Sequence, residues 1–212
     1  MRYLLPLLLV VLAACADDVS RPQPVTVLED GVVVDPLQED AARVRVRALD
    51  SGIFQVTASP DEDFERSASL MRAGSLGAAD FEIVKGERLV RVVTADATAE
   101  VSLDTGAVRF LDGDGNEVLA ERAARSFTPF DENDRTRYAI QQRFDPGPDD
   151  AFYGLGQHQN GRFNYRGENV ELAQHNISIA VPFVASTGGY GILWDNTSIT
   201  RFGDPRPFAA LD

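Results

Sequence analysis

Short runs in which apolar residues alternate with charged or polar ones, each stopped by a turn that carries glycine, constrain this chain more than any other feature. Val44-Arg45-Val46-Arg47-Ala48-Leu49 is the clearest of them. Successive side chains of a strand point to opposite faces, so the valines can share one face and the arginines the other, as in a half-buried strand. Asp50-Ser51-Gly52 then turns the chain into Ile53-Phe54-Gln55-Val56-Thr57, which completes a hairpin. Val25-Thr26-Val27-Leu28 and Val32-Val33-Val34 flank Glu29-Asp30-Gly31 in the same way. Segments 81–84 and 89–94 flank Lys85-Gly86-Glu87-Arg88, and segments 99–103 and 107–111 flank Asp104-Thr105-Gly106. Further on, 177–183 and 190–194 read as strands joined by Ser186-Thr187-Gly188-Gly189. Helical periodicity is weak and confined to 64–72 and 117–125. Strands this short and this closely spaced predict an all-β fold, an antiparallel β-sandwich.

A chain of 212 residues with 44% hydrophobic composition can bury one sizeable core. Its formal charge of −13 repels polyphosphates, so no nucleic acid is expected as a partner. Met1-Arg2, the apolar run Leu4 to Leu12 and the small residues Ala13-Ala14 read as a signal peptide over residues 1–14, too short to span a bilayer, which takes roughly 20 apolar residues. Leu12-Ala13-Ala14-Cys15 resembles a bacterial lipoprotein box, which implies cleavage before Cys15 and acylation of its thiol. Cys15 is the sole cysteine, so no disulfide can form within the chain. More than one acyl chain would make a stable anchor, at about 0.8 kcal/mol per buried methylene. The polar residues 15–24 then form a tether, and the expected location is the bacterial cell envelope, on the periplasmic side of the outer membrane or at the cell surface.

Both histidines, the only tryptophan and three of the five tyrosines lie between Phe152 and Asn196. Aromatic faces cover C–H surfaces while amides and imidazoles satisfy hydroxyls in both directions, so this window suits a carbohydrate. Other readings of it fail. Gly154-Leu155-Gly156 lacks the third glycine of a dinucleotide fingerprint, which would fall at Gln159. Asp112, Asp114 and Asn116 begin like a calcium loop, but Glu117 stands where glycine is needed and Ala123 where the closing glutamate belongs, leaving a solvated hairpin turn. His158 and His175 without a usable cysteine make a poor zinc set, so neither metal nor cofactor is expected. No G-x-S-x-G elbow occurs. Carboxylates are plentiful in and near the window (Glu168, Glu171, Asp195, Asp204), but spacing singles out none as catalytic. Phe183, Tyr190 and Trp194 read as core residues of strands. Gln174-His175-Asn176 is different: three consecutive hydrogen-bonding side chains are costly to bury, and they form either a substrate-binding loop or an ordinary polar turn. The acidic, proline-rich 145–150 reads as a long loop, because the residues after it are few for a separate core.

The run from Phe152-Tyr153-Gly154-Leu155-Gly156-Gln157-His158-Gln159-Asn160-Gly161 through Asn164-Tyr165-Arg166-Gly167-Glu168, Gln174-His175-Asn176 and Val181-Pro182-Phe183 to Gly189-Tyr190-Gly191-Ile192-Leu193-Trp194-Asp195-Asn196 resembles glycoside hydrolase family 31. With looser likeness at 44–60 and 103–119, the resemblance covers roughly residues 40 to 205. It implies a galactose mutarotase-like sandwich over 25–205, with 206–212 beginning a linker to a C-terminal (β/α)8 barrel. That barrel carries the aspartate nucleophile and aspartate acid/base of a retaining α-glycosidase, and neither of its motifs is found in this chain. The resemblance gives the sandwich the task of reaching a loop over the barrel mouth, at Gln174, His175 and Asn176 here, where many family members have an aspartate. The wording Gln-His-Gln-Asn-Gly and Asn-Tyr-Arg-Gly-Glu resembles the α-xylosidase-like branch, which implies α-xylosides or α-glucosides as the carbohydrate. A self-standing carbohydrate-binding lipoprotein and a ligand-free surface domain are the alternatives.

Overall fold

The computed structural model describes residues 24–60, 64, 69, 71, 79–122, 125–196 and 198–203, and no helix occurs among them. The first sheet is a meander of β1 (Val25–Leu28), β2 (Gly31–Val34), β3 (Arg43–Asp50) and β4 (Ile53–Ser59), paired antiparallel in that order. The second contains β5 (Glu82–Lys85), β6 (Leu89–Val93), β7 (Ala97–Ser102), β8 (Val108–Asp112), β9 (Glu117–Glu121) and β12 (Phe144–Asp145), again with neighbours in chain order paired antiparallel. Between β9 and β12 the chain makes a separate ribbon of β10 (Ser126–Glu132) and β11 (Arg135–Gln141). The remaining strands are β13 (Phe152–Gln157), β14 (Asn169–Leu172), β15 (Ile179–Ser186), β16 (Gly191–Leu193) and β17 (Thr200–Gly203), arranged as β13-β15-β16 and β14-β17.

Alternation decides how the first two sheets meet. Val44, Val46 and Ala48 of β3 turn inward with Val32 and Val34 of β2, and they pack in one core against Val90 and Val92 of β6, Ala99 and Val101 of β7 and Val108 of β8. Small β-branched side chains fill the narrow space between two twisted sheets without trapping polar groups. The opposite face of the second sheet carries Arg91, Glu100 and Arg109, cross-strand neighbours in which the Glu100 carboxylate bridges both guanidinium groups. Glu100 is only 3% exposed, and burial alone would raise its pKa. Hydrogen bonds from Arg91 and Arg109 outweigh that and hold the carboxyl below its ordinary range.

The predicted all-β sandwich is present, and the hairpins expected at 25–34, 44–57, 81–94 and 99–111 stand within a residue or two of their expected bounds. The weak helical periodicity at 117–125 does not give a helix: Glu117–Glu121 is β9, paired with β8, with Leu119 buried. Glu121 and Arg125 have helical spacing and do form an ion pair, but the Glu121 carboxylate also accepts the Val108 backbone N–H at 2.8 Å, so the contact serves the sheet. Most of the stretch 64–72 lies outside the described residues; Phe64 itself sits under the Arg45 guanidinium, 4.9 Å from its ring centre. Residues 1–14, nearly all of the tether and 206–212 likewise lie outside them. Near the end of the described chain, where the sequence suggests no closing strand, β17 pairs with β14 over four residues.

Candidate functional site

A second, smaller core holds the aromatic window together: Leu155, Tyr165, Val170, Leu172 and Val184, with Phe152, Ala180, Ile192 and Phe202 against them. Its organising feature is an irregularity in β13. Gly154 pairs with Val184 and Gly156 with Ala180, so the single residue Leu155 faces three residues, Val181-Pro182-Phe183, on β15. Gly154, Leu155 and Gly156 all have positive φ (111°, 62° and 98°), which drives Leu155 into the core. A Cβ on Gly156 would stand 1.9 Å from the Ile179 carbonyl oxygen, so only glycine permits the approach. Pro182, with no N–H to donate, falls within the unpaired stretch of β15. His158 Nε2 donates to the Leu155 carbonyl at 2.8 Å, satisfying an oxygen the bulge has turned away from the ladder.

The adjoining motif residues are architectural as well. The Asn164 side-chain oxygen accepts the Phe152 and Arg166 N–H groups, each at 3.0 Å, and the Arg166 guanidinium donates to the carbonyls of Asp150 (2.7 Å) and Gly147 (2.9 Å). Asp150, buried, accepts from the Gly147 N–H at 3.1 Å and from the Tyr190 hydroxyl at 3.0 Å. Burial, with the Asp150 carboxylate beside it, pushes the Tyr190 hydroxyl up to about 12. After Asp145, the last residue of β12, the stretch 146–150 is a loop clamped onto the second core, as its reading as a loop has it, although the residues that follow do form a core of their own.

The segment 173–178 links β14 to β15. Val170 and Leu172 point into the core and Asn169 and Glu171 out of it, and the chain then reverses, with the Ser178 N–H donating to the His175 carbonyl at 3.3 Å. The predicted trio divides here. Gln174 donates from Nε2 to the Ser178 carbonyl at 3.1 Å and accepts the Ala180 N–H at 3.3 Å, so its amide closes the turn. His175 and Asn176 project from it, exposed. The Glu171 carboxylate lies 3.7 Å from His175 Nε2, too long for a hydrogen bond, and 3.3 Å from the Arg201 guanidinium across the β14–β17 pair. Glu168 pairs with Arg162 at 3.3 Å. An exposed imidazole and amide with a carboxylate behind them can both donate to and accept from the hydroxyls of a sugar. Glu171 was open to inference from its i,i+4 spacing to His175; Arg201 depends on the register of β14 against β17, which no local pattern announces.

Comparison with known proteins agrees with this architecture. The family model of the glycosyl hydrolase 31 N-terminal galactose mutarotase-like domain matches residues 43–202, and the chain belongs to that family. The crystal structure of a family 31 α-xylosidase from Xanthomonas citri is 46% identical, with a TM-score of 0.79 over 84% of this chain and 20% of its own. The α-xylosidase of Saccharolobus solfataricus is 31% identical over 123 residues, 54% of this chain and 16% of that protein. A family 31 α-xylosidase from a soil metagenome, solved with xylose, shares the fold at 23% identity and a TM-score of 0.74 over 84% of this chain and 29% of its own. The chain thus spans about a fifth of the length of these relatives, or less than a third at most.

Proposed function

We propose that this chain is the substrate-cleft domain of a retaining α-glycosidase acting on α-xylosides or α-glucosides, and that it is catalytically silent by itself. The observation that carries the reading is the exposed His175-Asn176 turn, held by the Gln174 amide and backed by Glu171, in a chain 46% identical to part of an α-xylosidase. In such an enzyme the chemistry needs two carboxylates: one attacks the anomeric carbon, and the other protonates the leaving oxygen and later activates water. Both belong to a (β/α)8 barrel, which residues 1–212 do not supply. The contribution of this chain is positional. His175 and Asn176 hydrogen-bond sugar hydroxyls at the cleft edge, so the reacting centre is held at a fixed distance from the barrel acids. Residues 1–14 act as a signal peptide, and acylated Cys15 with the 15–24 tether holds the enzyme at the bacterial cell envelope.

The isolated chain is expected to show no turnover of an aryl α-xyloside or α-glucoside. A chimera in which it replaces the matching fifth of the Xanthomonas citri enzyme is expected to hydrolyse one of them. Turnover by the chain alone, or a folded chimera inactive on both, contradicts the reading. Metabolic labelling with a palmitate analogue, lost in Cys15→Ser, tests the anchor.

A further inference from the structure

One end of the first sandwich gathers features that the candidate site does not use. The carbonyl of Pro24, the first described residue, accepts the Asp35 N–H at 2.8 Å, and the N–H groups of Leu37 and Gln38 donate to the carbonyls of Leu103 and Asp104. The Arg125 guanidinium donates to the Gly106 carbonyl at 3.2 Å. The start of β1, the loop 35–42, the turn from β7 to β8 and the root of the β10–β11 ribbon therefore lie side by side. The ribbon leaves the sandwich here, between the end of β9 and the start of β12, where Phe144 pairs with Glu121. Phe127 lies opposite Ile140 and Pro129 opposite Tyr138, so these four uncharged residues share one face. The Phe127 and Tyr138 rings meet edge to face at 6.1 Å, and Ile140 is 55% exposed. Leu37, at the same end of the sandwich, is 62% exposed. Asp131, Glu132 and Asp134 are confined to the ribbon tip. An exposed apolar face on a chain of formal charge −13 marks a surface that meets a partner.

We propose that the Phe127-Pro129-Tyr138-Ile140 face of the ribbon rests on the lipid surface to which Cys15 holds the chain. This inference rests on the anchor proposed above and names the contact that the anchor brings about. Reach selects lipid as the partner. From Cys15 to Pro24 the chain extends at most roughly 32 Å, so the Pro24 end of the sandwich stands no farther than that from the bilayer. Strands of seven residues carry the ribbon about 23 Å from its root, a length comparable with that gap, whereas the far end of the eight-residue β3 lies about 26 Å away on the other side. A tyrosine, apolar in body and polar at its tip, suits the level of the lipid headgroups. The carboxylates of the tip stay in water, so the ribbon lies along the surface and does not insert. A second copy of this chain fits worse. One ribbon face offers a few hundred Å² against the roughly 800 Å² per partner of a stable dimer. Pro129 blunts the β10 edge against pairing with another strand, and each copy carries the same charge of −13.

Labelling from within the bilayer tests the contact. The chain from Cys15 onward is coupled through that sole thiol to a maleimide phospholipid, in vesicles of phosphatidylethanolamine and phosphatidylglycerol whose acyl chains carry a diazirine. After photolysis the labelled residues are read by mass spectrometry. Labelling of Phe127, Tyr138 and Ile140 is expected to exceed that of Ile53, 50% exposed at the opposite end, by about tenfold or more, because an interfacial apolar face sits roughly 5–10 Å into the headgroup boundary. Ile140→Glu, a change at an exposed position, is expected to remove most of that excess and leave the melting temperature unchanged. Ribbon labelling no higher than that of Ile53 overturns the proposal, as does an excess that Ile140→Glu retains in full. Labelling that falls as the chain is packed more densely on the vesicle also overturns it, assigning the face to a second copy. Anchor and contact fail separately: absence of palmitate labelling at Cys15 in cells removes the anchor and the contact with it, whereas an unlabelled ribbon on the coupled chain removes the contact alone.

Discussion

Gly156 is where a single atom decides the geometry of the candidate site. An alanine there must hold φ near 98° and place its Cβ against the Ile179 carbonyl, so Gly156→Ala should cost about 3 kcal/mol and lower the melting temperature accordingly. A melting temperature within error of the parent would show that the bulge relaxes freely. Glu100 sets the acid limit of the larger core. Its folded-state pKa lies below the ordinary 4.5, so its contribution is complete above pH 4.5 and is lost as pH falls through the depressed value. Glu100→Gln should cost about 2 kcal/mol at pH 7, by weakening two charge-assisted hydrogen bonds, and the gap to the parent should close on acidification. Thermal melts of both proteins from pH 7 to pH 3 check the sign. At this scale the sequence was partly legible. Gly154-Leu155-Gly156 stood out as a motif. That three residues of β15 would oppose one of β13 is a long-range fact with no local signature. Gln174, His175 and Asn176 were chosen together because all three are polar, yet only the fold reveals that Gln174 is occupied in closing the turn.

Elements differ in how much tertiary support they receive. The ribbon β10–β11 is a seven-residue antiparallel pair, mostly exposed, that joins neither large sheet. An isolated two-stranded hairpin is marginal in water. Its backbone amides should therefore exchange with deuterium at least about tenfold faster than those of β2, β3, β6 and β7, whose valines lie in the main core. Equal protection would mean that the ribbon is supported by contacts its exposure does not suggest. The clamped loop 146–150 offers a complementary test: Tyr190→Phe removes one hydrogen bond to buried Asp150 and should cost about 1 kcal/mol, read by chemical denaturation. Period-2 alternation made β3, β6 and the hairpins around them readable. It failed for β9, where Glu121 and Arg125 imitate helical pairing, and for β14 and β17, four-residue strands whose pairing partner lies some thirty residues away. Phe183, read as a core side chain, instead faces outward, because alternation predicts which residues share a face and not which face is inside.

The molecule as a whole carries two cores of unequal completeness. The first is closed between two sheets whose outer faces are charged. The second leaves one side of β13-β15-β16 apolar and exposed, and the His175-Asn176 turn stands at the edge of that side. A domain that supplies half of a sugar cleft has this form, and membership in a family whose related enzymes are about three to four times as long agrees with it. The central claim is that His175 and Asn176 touch sugar in the assembled enzyme. The most direct test is steady-state hydrolysis of an aryl α-xyloside by the chimera and by its His175→Ala, Asn176→Ala double variant. The account predicts a fall in kcat/KM of about tenfold or more, the loss of two hydrogen bonds to substrate, with an unchanged melting temperature. Identical kcat/KM values for parent and double variant would contradict it.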